Sequence, residues 1–207
     1  MDPWPATLLA YAVGCLSFAT LFCRLKGVDI RTVGSGNPGA TNVGRALGPW
    51  WGRAVLLLDV AKGAVPVALL SGPAVSGDPR GHSVILAAAV AGHVFPVHMG
   101  FRGGKGVATL IGGYLALDWR LGLASVVAHY GLRAACGYVS VASVALAWAF
   151  PAGQWLAGVT GLGDAVFTGG TWVLVLLAVL VTLRHLGNFG RIRAGTEDRY
   201  DGSSDHT

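Results

Sequence analysis

The chain has 207 residues, of which 53% are hydrophobic and only 12% are charged, and its mean hydropathy is +0.58. Soluble domains carry about 25% charged residues, so these values exclude a soluble enzyme, a secreted disulfide scaffold and a disordered chain. On composition alone, the formal net charge of +5 is compatible with a nucleic-acid partner. The positions of the charges along the chain decide whether such a partner is needed.

Apolar stretches predict an all-α, polytopic membrane protein that forms a single domain over residues 1–207. A helix needs roughly 20 apolar residues to cross a bilayer. About seven transmembrane helices are predicted, at residues 5–23, 54–72, 82–98, 107–117, 119–135, 139–158 and 171–187. The fourth is short, and we expect it to tilt, to include the preceding glycine loop or to form a broken hairpin with the fifth. Residues 201–207 are predicted to be a mobile polar tail.

The distribution of lysine and arginine predicts the orientation, because cytoplasmic loops carry an excess of these residues. One predicted side of the membrane carries Arg24, Lys26, Arg31, Arg45, Arg53, Arg102, Lys105, Arg133, Arg184, Arg191, Arg193 and Arg199. The other side carries only Arg80 and Arg120, and Lys62 lies inside the second stretch. The N-terminus is therefore predicted outside and the C-terminus in the cytoplasm. This placement explains the positive charge without nucleic acid.

Three unusual polar segments fall on the predicted cytoplasmic side, and the first joins the first two spans. Its sequence predicts a short interfacial helix over residues 38–47 with Asn37 as the N-cap. One polar face of this helix would carry Thr41, Asn42 and Arg45. The preceding Ser-Gly-Asn turn, residues 35–37, would present backbone amides to an anion. The alternative is a capped connector with an orienting arginine.

The second polar segment has three glycines around Lys105, followed directly by an apolar helix. Such a loop predicts a phosphate nest, in which backbone amides and the lysine share the anion. It is not a P-loop, since Met99 and Gly106 occupy positions where that motif needs glycine and Ser or Thr. The alternative is a flexible loop whose lysine lies among lipid headgroups.

The third polar segment leaves the last span. His185 and Asn188 are predicted to share a helical face, and Glu197 is the only glutamate of the chain. The alternative is a basic segment that touches anionic lipid, with Glu197 paired to one of its arginines.

Two smaller features complete the pattern. Asp59 and Lys62 lie three residues apart inside a span, where each charge costs on the order of 2.5–3.5 kcal/mol, so we expect a buried ion pair with a structural role. Ser140 and Ser143 lie at the cytoplasmic start of the sixth span. The three cysteines have no metal-like spacing, and we expect free thiols and no metal site.

These segments resemble the signatures of the bacterial membrane acyl-phosphate:glycerol-3-phosphate acyltransferases, the PlsY-type family. The signature GSGNxGATNxxRxxG matches residues 34–48, GHxFPxxxxFxGGKGVAT matches residues 92–109, and HxxNxxRxxxGTE matches residues 185–197. Asp59-x-x-Lys62-Gly63 and residues 138–143 also resemble family positions, so the similarity spans nearly the whole chain. The chain departs at Gly137, where many members have a basic residue, and at Leu186-Gly187, which replaces a charged pair.

The resemblance implies transfer of a fatty acyl group from acyl phosphate to the sn-1 hydroxyl of glycerol 3-phosphate, with no cofactor, in the bacterial inner membrane and with the site facing the cytoplasm. The donor is already activated, so direct transfer without an acyl-enzyme is expected. The enzyme that produces acyl phosphate is a further candidate partner. No histidine is followed by aspartate at the fifth position, so the general-base pair of acyl-CoA-type acyltransferases is absent from the sequence.

The resemblance also assigns residues to roles. The catalytic set is Ser35, Asn37, Arg45, Lys105, His185 and Asn188. The substrate-binding set is Gly34, Gly36, Thr41, Asn42, Arg102, Gly103, Gly104, Gly106, Ser140 and Ser143. Structural support is assigned to Asp59, Lys62 and Glu197.

Two other functions compete with this interpretation. Glycine loops and helix N-termini near anions also build the sites of small-anion transporters, but those sites lie near the membrane midplane, where this chain has only Asp59 and Lys62. The second alternative is a membrane scaffold whose cytoplasmic loops bind lipid headgroups or a partner enzyme.

Overall fold

In a computed structural model of the chain, which describes residues 4–70, 80–160 and 170–199, the described residues fold into ten α-helices and one 3-10 helix. The helices are α1 Trp4–Gly14, α2 Phe18–Leu25, α3 Ala40–Leu47, α4 Pro49–Leu70, α5 Arg80–Val94, the 3-10 helix Val97–Met99, α6 Val107–Leu117, α7 Trp119–Cys136, α8 Val139–Thr160, α9 Thr171–Arg184 and α10 Leu186–Arg193. The all-helical expectation is confirmed for these ranges. The predicted tail at 201–207 lies outside the described residues.

The predicted apolar stretches coincide with helices, with three main differences. The first stretch is interrupted between α1 and α2, where the Ser17 side chain caps α2 by accepting a hydrogen bond from the Thr20 amide. The helix α4 begins at Pro49, ahead of the predicted residue 54, because proline is well suited to a first helical turn. The last stretch ends at Arg184, where the chain bends by 43° into α10.

Three helical segments of the described chain are long and apolar enough to cross a membrane: Trp4–Leu25, Gly81–Met99 and Val139–Thr160. The bent pair of α9 and α10 is a fourth if it counts as one span. The helix α6 is apolar but has only 11 residues, about half of what a bilayer core requires. The seven-span topology and its orientation stay predictions.

Glycines bring the helix backbones close together. A Cβ added at Gly63 of α4 would meet the Thr109 carbonyl of α6, and one at Gly112 of α6 would meet the Val60 carbonyl of α4. Small residues permit this kind of close approach between membrane helices. The contact holds the start of α6, and with it the loop that precedes α6, against α4.

The predicted ion pair between Asp59 and Lys62 is confirmed. Lys62 Nζ lies 2.7 Å from Asp59 Oδ1, and both side chains are only 3% exposed. The Lys62 ammonium also donates to the Leu16 carbonyl (2.7 Å), in the break between α1 and α2. His93 Nδ1 of α5 lies 3.8 Å from Asp59 Oδ1. The pair therefore ties α4 to the first two helices and to the end of α5.

Candidate active site

The three polar segments meet around one cavity of about 400 Å³. The loop before α3, the loop before α6 and the bend between α9 and α10 all contribute to its wall. The lining residues are Arg31, Ser35, Gly36, Asn37, Pro38, Arg102, Gly103, Lys105, Arg184, Gly187, Asn188 and Arg191. Segments that are far apart in the sequence thus form one site.

The side chain of Asn42 holds the loop before α3 through hydrogen bonds to its backbone. The Asn42 side chain donates to the carbonyls of Ile30 (3.2 Å) and Val33 (2.9 Å), and its Oδ1 accepts from the Ser35 amide (3.1 Å). Asn42 is 2% exposed and does not line the cavity. Its amide group is fully used in fixing the turn that presents Ser35.

The predicted start of α3 and the predicted N-cap are wrong. The helix begins at Ala40, and its N-cap is Gly39 in an extended conformation, without a side-chain cap. The Gly39 amide donates to the Asn37 carbonyl (2.9 Å), so residues 37–39 form a tight turn instead of a first helical turn. This turn places Asn37 in the cavity wall.

The glycine loop packs on the end of α5. The Gly103 and Gly104 amides donate to the carbonyls of Val94 (3.0 Å) and His93 (3.1 Å), which the end of a helix leaves without intrahelical partners. These two amides are therefore not free to form the predicted phosphate nest. A Cβ at Gly104 would meet the His93 imidazole at Nε2 and Cε1. The loop is thus closely fitted to α5, and it carries Lys105 into the cavity.

A chain of hydrogen bonds joins the second and third segments. Lys105 Nζ donates to Asn188 Oδ1 (2.5 Å), Asn188 Nδ2 donates to Glu197 Oε1 (2.5 Å), and Arg191 Nε donates to Glu197 Oε2 (2.7 Å). In addition, Arg184 Nη2 donates to the Gly103 carbonyl (3.0 Å). Lys105 and Asn188, predicted from different segments, are in direct contact.

The surroundings of Lys105 lower its pKa to about 8. Burial is the main cause. The Glu197 carboxylate opposes this effect, and the charges of Arg191, Arg184 and Arg45 add to it. Burial alone would raise the pKa of Glu197, but hydrogen bonds from Asn188 and Arg191 outweigh burial and lower it. Glu197 is consequently ionised at neutral pH, whereas Lys105 titrates near physiological pH.

Several predicted residues lie outside the cavity wall: Gly34, Thr41, Asn42, Arg45, Gly104, Gly106, Ser140, Ser143, His185 and Glu197. His185 is 3% exposed at the bend between α9 and α10, with Nδ1 2.8 Å from the Val181 carbonyl. Ser143 donates to the Val139 carbonyl (2.7 Å), and the Ser140 hydroxyl is buried without a hydrogen-bond partner. Arg45 pairs with Asp198 at 3.0 Å.

The sequence assigned no site role to three cations of the cavity wall, Arg31, Arg184 and Arg191. The only available signal was their position in or beside the three motifs. Arg31 Nη2 donates to the carbonyls of Met99 (3.2 Å) and Arg102 (3.3 Å), so it joins the first segment to the second. No group of three or more His, Cys, Asp or Glu side chains suited to a metal occurs in the described residues. A cavity wall rich in Arg and Lys suits phosphate anions.

Comparison with known proteins gives one consistent result. Residues 4–195 match the family model described as glycerol-3-phosphate acyltransferase. The glycerol-3-phosphate acyltransferase of Thermotoga petrophila is 39% identical over 200 residues, which cover 95% of this chain and 96% of that protein. The glycerol-3-phosphate acyltransferase of Geobacter sulfurreducens is 41% identical over 194 residues, which cover 94% of this chain and 95% of that protein.

Two crystal structures of PlsY (YgiH), an integral membrane glycerol 3-phosphate acyltransferase, have similar folds. The glycerol 3-phosphate form has a TM-score of 0.86 and 34% identity, and covers 96% of this chain and 95% of that one. The lysophosphatidic acid form has a TM-score of 0.84 and 32% identity, and the match covers 98% of this chain and 97% of that one. The similarity therefore includes all three segments of the cavity.

Proposed function

The chain belongs to the glycerol-3-phosphate acyltransferase family of integral membrane enzymes, and on this premise we propose that its acyl donor is acyl phosphate. The acyl group passes to the sn-1 hydroxyl of glycerol 3-phosphate, giving 1-acyl-glycerol 3-phosphate and phosphate. This reaction is the first acylation of phospholipid synthesis. The observation that carries the proposal is the density of cations around one cavity.

The charge of the cavity suits two phosphates. Five cationic side chains line it, namely Arg31, Arg102, Lys105, Arg184 and Arg191, and the Glu197 carboxylate offsets one of them. A phosphate monoester carries about −1.5 to −2 charges at neutral pH. The surplus of positive charge can therefore balance a donor phosphate and an acceptor phosphate together, whereas one phosphate alone would leave about two cations uncompensated.

The side chains divide between the two substrates. We assign the turn with Ser35 and Asn37 to the donor phosphate and carbonyl, and Lys105 and Asn188 to the acceptor. His185, Ser143 and Arg45 complete the acceptor side. Asn42, Gly104 and Glu197 act by positioning, because their own contacts are with the protein.

The proposed reaction needs no acyl-enzyme. The acceptor hydroxyl oxygen attacks the carbonyl carbon of the donor, the bond between that carbon and the phosphate oxygen breaks, and the departing phosphate takes the hydroxyl proton. Orientation of the two substrates and stabilisation of the developing oxyanion lower the barrier. Among the described histidines none lines the cavity with Ser35, so the cavity wall contains no serine–histidine pair of the kind that activates a nucleophile.

Direct transfer predicts that no acyl adduct accumulates. Purified enzyme incubated with radiolabelled acyl phosphate, without glycerol 3-phosphate, should show an unmodified intact mass after denaturation. Cys23→Ala and Cys136→Ala should remain active, and Ser35→Ala should lose activity through poorer positioning. A stoichiometric adduct that disappears on addition of glycerol 3-phosphate would identify a nucleophile and refute the direct mechanism. Product formed equally well from acyl-CoA would refute the donor assignment.

We further propose that the protein crosses the inner membrane seven times with the cavity facing the cytoplasm. In a variant without Cys15, Cys23 and Cys136, which are all unpaired, single cysteines replace Ser35 and Ala194. An impermeant thiol reagent should label both from the cytoplasmic side, and a cysteine at position 78, outside the described residues, from the other side. Labelling of positions 35 and 194 from opposite sides would contradict a shared cytoplasmic site.

A further inference from the structure

The last described residues of the chain bind three different elements near the cavity. We call residues 197–199 the C-terminal strap. Its first residue accepts hydrogen bonds from α10. The carboxylate of Asp198 lies 3.0 Å from the guanidinium of Arg45 in α3, and the guanidinium of Arg199 lies 5.3 Å from the ring centre of Tyr138, between α7 and α8. The strap therefore has a defined path.

Gly137, where the sequence departs from the family signature, lies beside this path. Gly137 ends α7 with φ +75°, and a Cβ there would lie 3.1 Å from Arg199 Nε. The glycine leaves room for the Arg199 side chain over Tyr138. A larger residue at position 137 would compete with the strap for this space.

The strap pairs with Arg45, an arginine that the proposed function assigns to the acceptor. Arg45 is close enough to Lys105 for its charge to lower the pKa of that lysine, yet Arg45 does not line the cavity. Its guanidinium is paired with Asp198 instead. The side chains are 42% and 70% exposed, and ion pairs as exposed as this one are weak and open readily.

We propose that Asp198 sets the affinity for glycerol 3-phosphate, because its carboxylate must release Arg45 before Arg45 can bind the acceptor phosphate. The inference rests on the proposed function for the role of Arg45. A phosphate dianion carries more charge than a carboxylate and accepts hydrogen bonds at three oxygens, so it displaces Asp198 at a cost in affinity. When the pair between Asp198 and Arg45 opens, the contacts of Glu197 with α10 and of Arg199 with Tyr138 hold the strap in place.

The test is equilibrium binding of radiolabelled glycerol 3-phosphate to the purified full-length protein, without any acyl donor. Asp198→Asn removes the competing charge and should lower Kd by roughly two- to fivefold, the range that an exposed ion pair supports. Asp198→Glu keeps the carboxylate and should bind as the wild type does. Arg45→Gln should raise Kd by roughly tenfold or more, since hydrogen bonds to charged groups are strong. In the Arg45→Gln background, Asp198→Asn should change nothing.

The outcomes separate this inference from the function it rests on. A normal Kd in Arg45→Gln, or an Asp198→Asn effect that persists without Arg45, would overturn it. So would an unchanged Kd in Asp198→Asn. Wild-type protein that binds glycerol 3-phosphate but does not use acyl phosphate would refute the proposed donor alone, with the effect of Asp198 intact. Wild-type protein that fails to bind glycerol 3-phosphate would refute both.

Discussion

Lys105→Met should lower kcat/KM for glycerol 3-phosphate by about a hundredfold or more. The ammonium group lies in the cavity wall, 2.5 Å from Asn188, and is the only lysine among the lining residues. A hydrogen bond to a charged group contributes about 1.5–3 kcal/mol, and loss of a donor that stabilises developing charge costs about 10²–10³-fold in turnover. Steady-state kinetics with both substrates varied would measure the loss.

The pKa of Lys105 predicts that kcat/KM depends on pH. The pKa of Lys105 is about 8, so its charged form predominates below that pH and is lost as the pH rises through it. If the charged form binds the acceptor phosphate, kcat/KM should fall above pH 8, because this ratio reports the free enzyme. Lys105→Arg keeps its charge throughout this range and should remove that alkaline fall. A wild-type profile that stays flat from pH 7 to 9 would contradict the assignment.

The matched control is Lys26→Met. Lys26 is exposed at the end of α2, 5.0 Å from the ring centre of Trp51, and it does not line the cavity. The same change of residue type should therefore leave kcat/KM near the wild-type value. Near-normal kinetics in both variants would remove Lys105 from the site, whereas equal losses in both would indicate a general effect of charge removal.

Most of the long helices could be predicted from the sequence because their signals are local. The bounds of α6 follow from a continuous apolar run between the glycine loop and Asp118. The pairing of Asp59 with Lys62 follows from their three-residue spacing and the cost of an unpaired charge in a membrane. Both inferences needed only neighbouring residues, and the structure confirms both.

The details of the site depend on contacts between distant segments, which local patterns do not reveal. The sequence predicts that the amides of Gly103 and Gly104 are free to bind phosphate, but both donate hydrogen bonds to carbonyls at the end of α5. Arg184 could be assigned to the membrane-orienting charges of the chain, and nothing local to it indicates that it donates to Gly103. The sequence predicts Asn42 on a polar helix face, whereas its hydrogen-bond partners are backbone groups of the preceding loop. The three motifs lie around one cavity, and tertiary contacts determine which of their residues line it.

Gly104→Ala should lower kcat/KM by about a hundredfold while the protein still folds. The added Cβ would overlap the His93 imidazole, which cannot easily retreat because its other nitrogen faces the buried pair of Asp59 and Lys62. The loop must move instead, and Lys105 is the next residue along it. A misplacement of about 1 Å in a catalytic group can cost about 10²-fold, so a small shift of the loop is sufficient.

A matched substitution separates this effect from a general intolerance of larger residues. Gly131 lies in α7, and a Cβ there would meet no atom within 4 Å beyond its chain neighbours and the nearby backbone of its own helix, so Gly131→Ala should keep full activity and show a slightly higher melting temperature. In Gly104→Ala, the displaced Lys105 loses its buried contact with Asn188, and the alkaline fall in kcat/KM should move to higher pH as the ammonium becomes better hydrated. Loss of activity with an unchanged pH profile would mean that Gly104 acts on another group. Wild-type kinetics would show that the contact between the loop and His93 does not position Lys105.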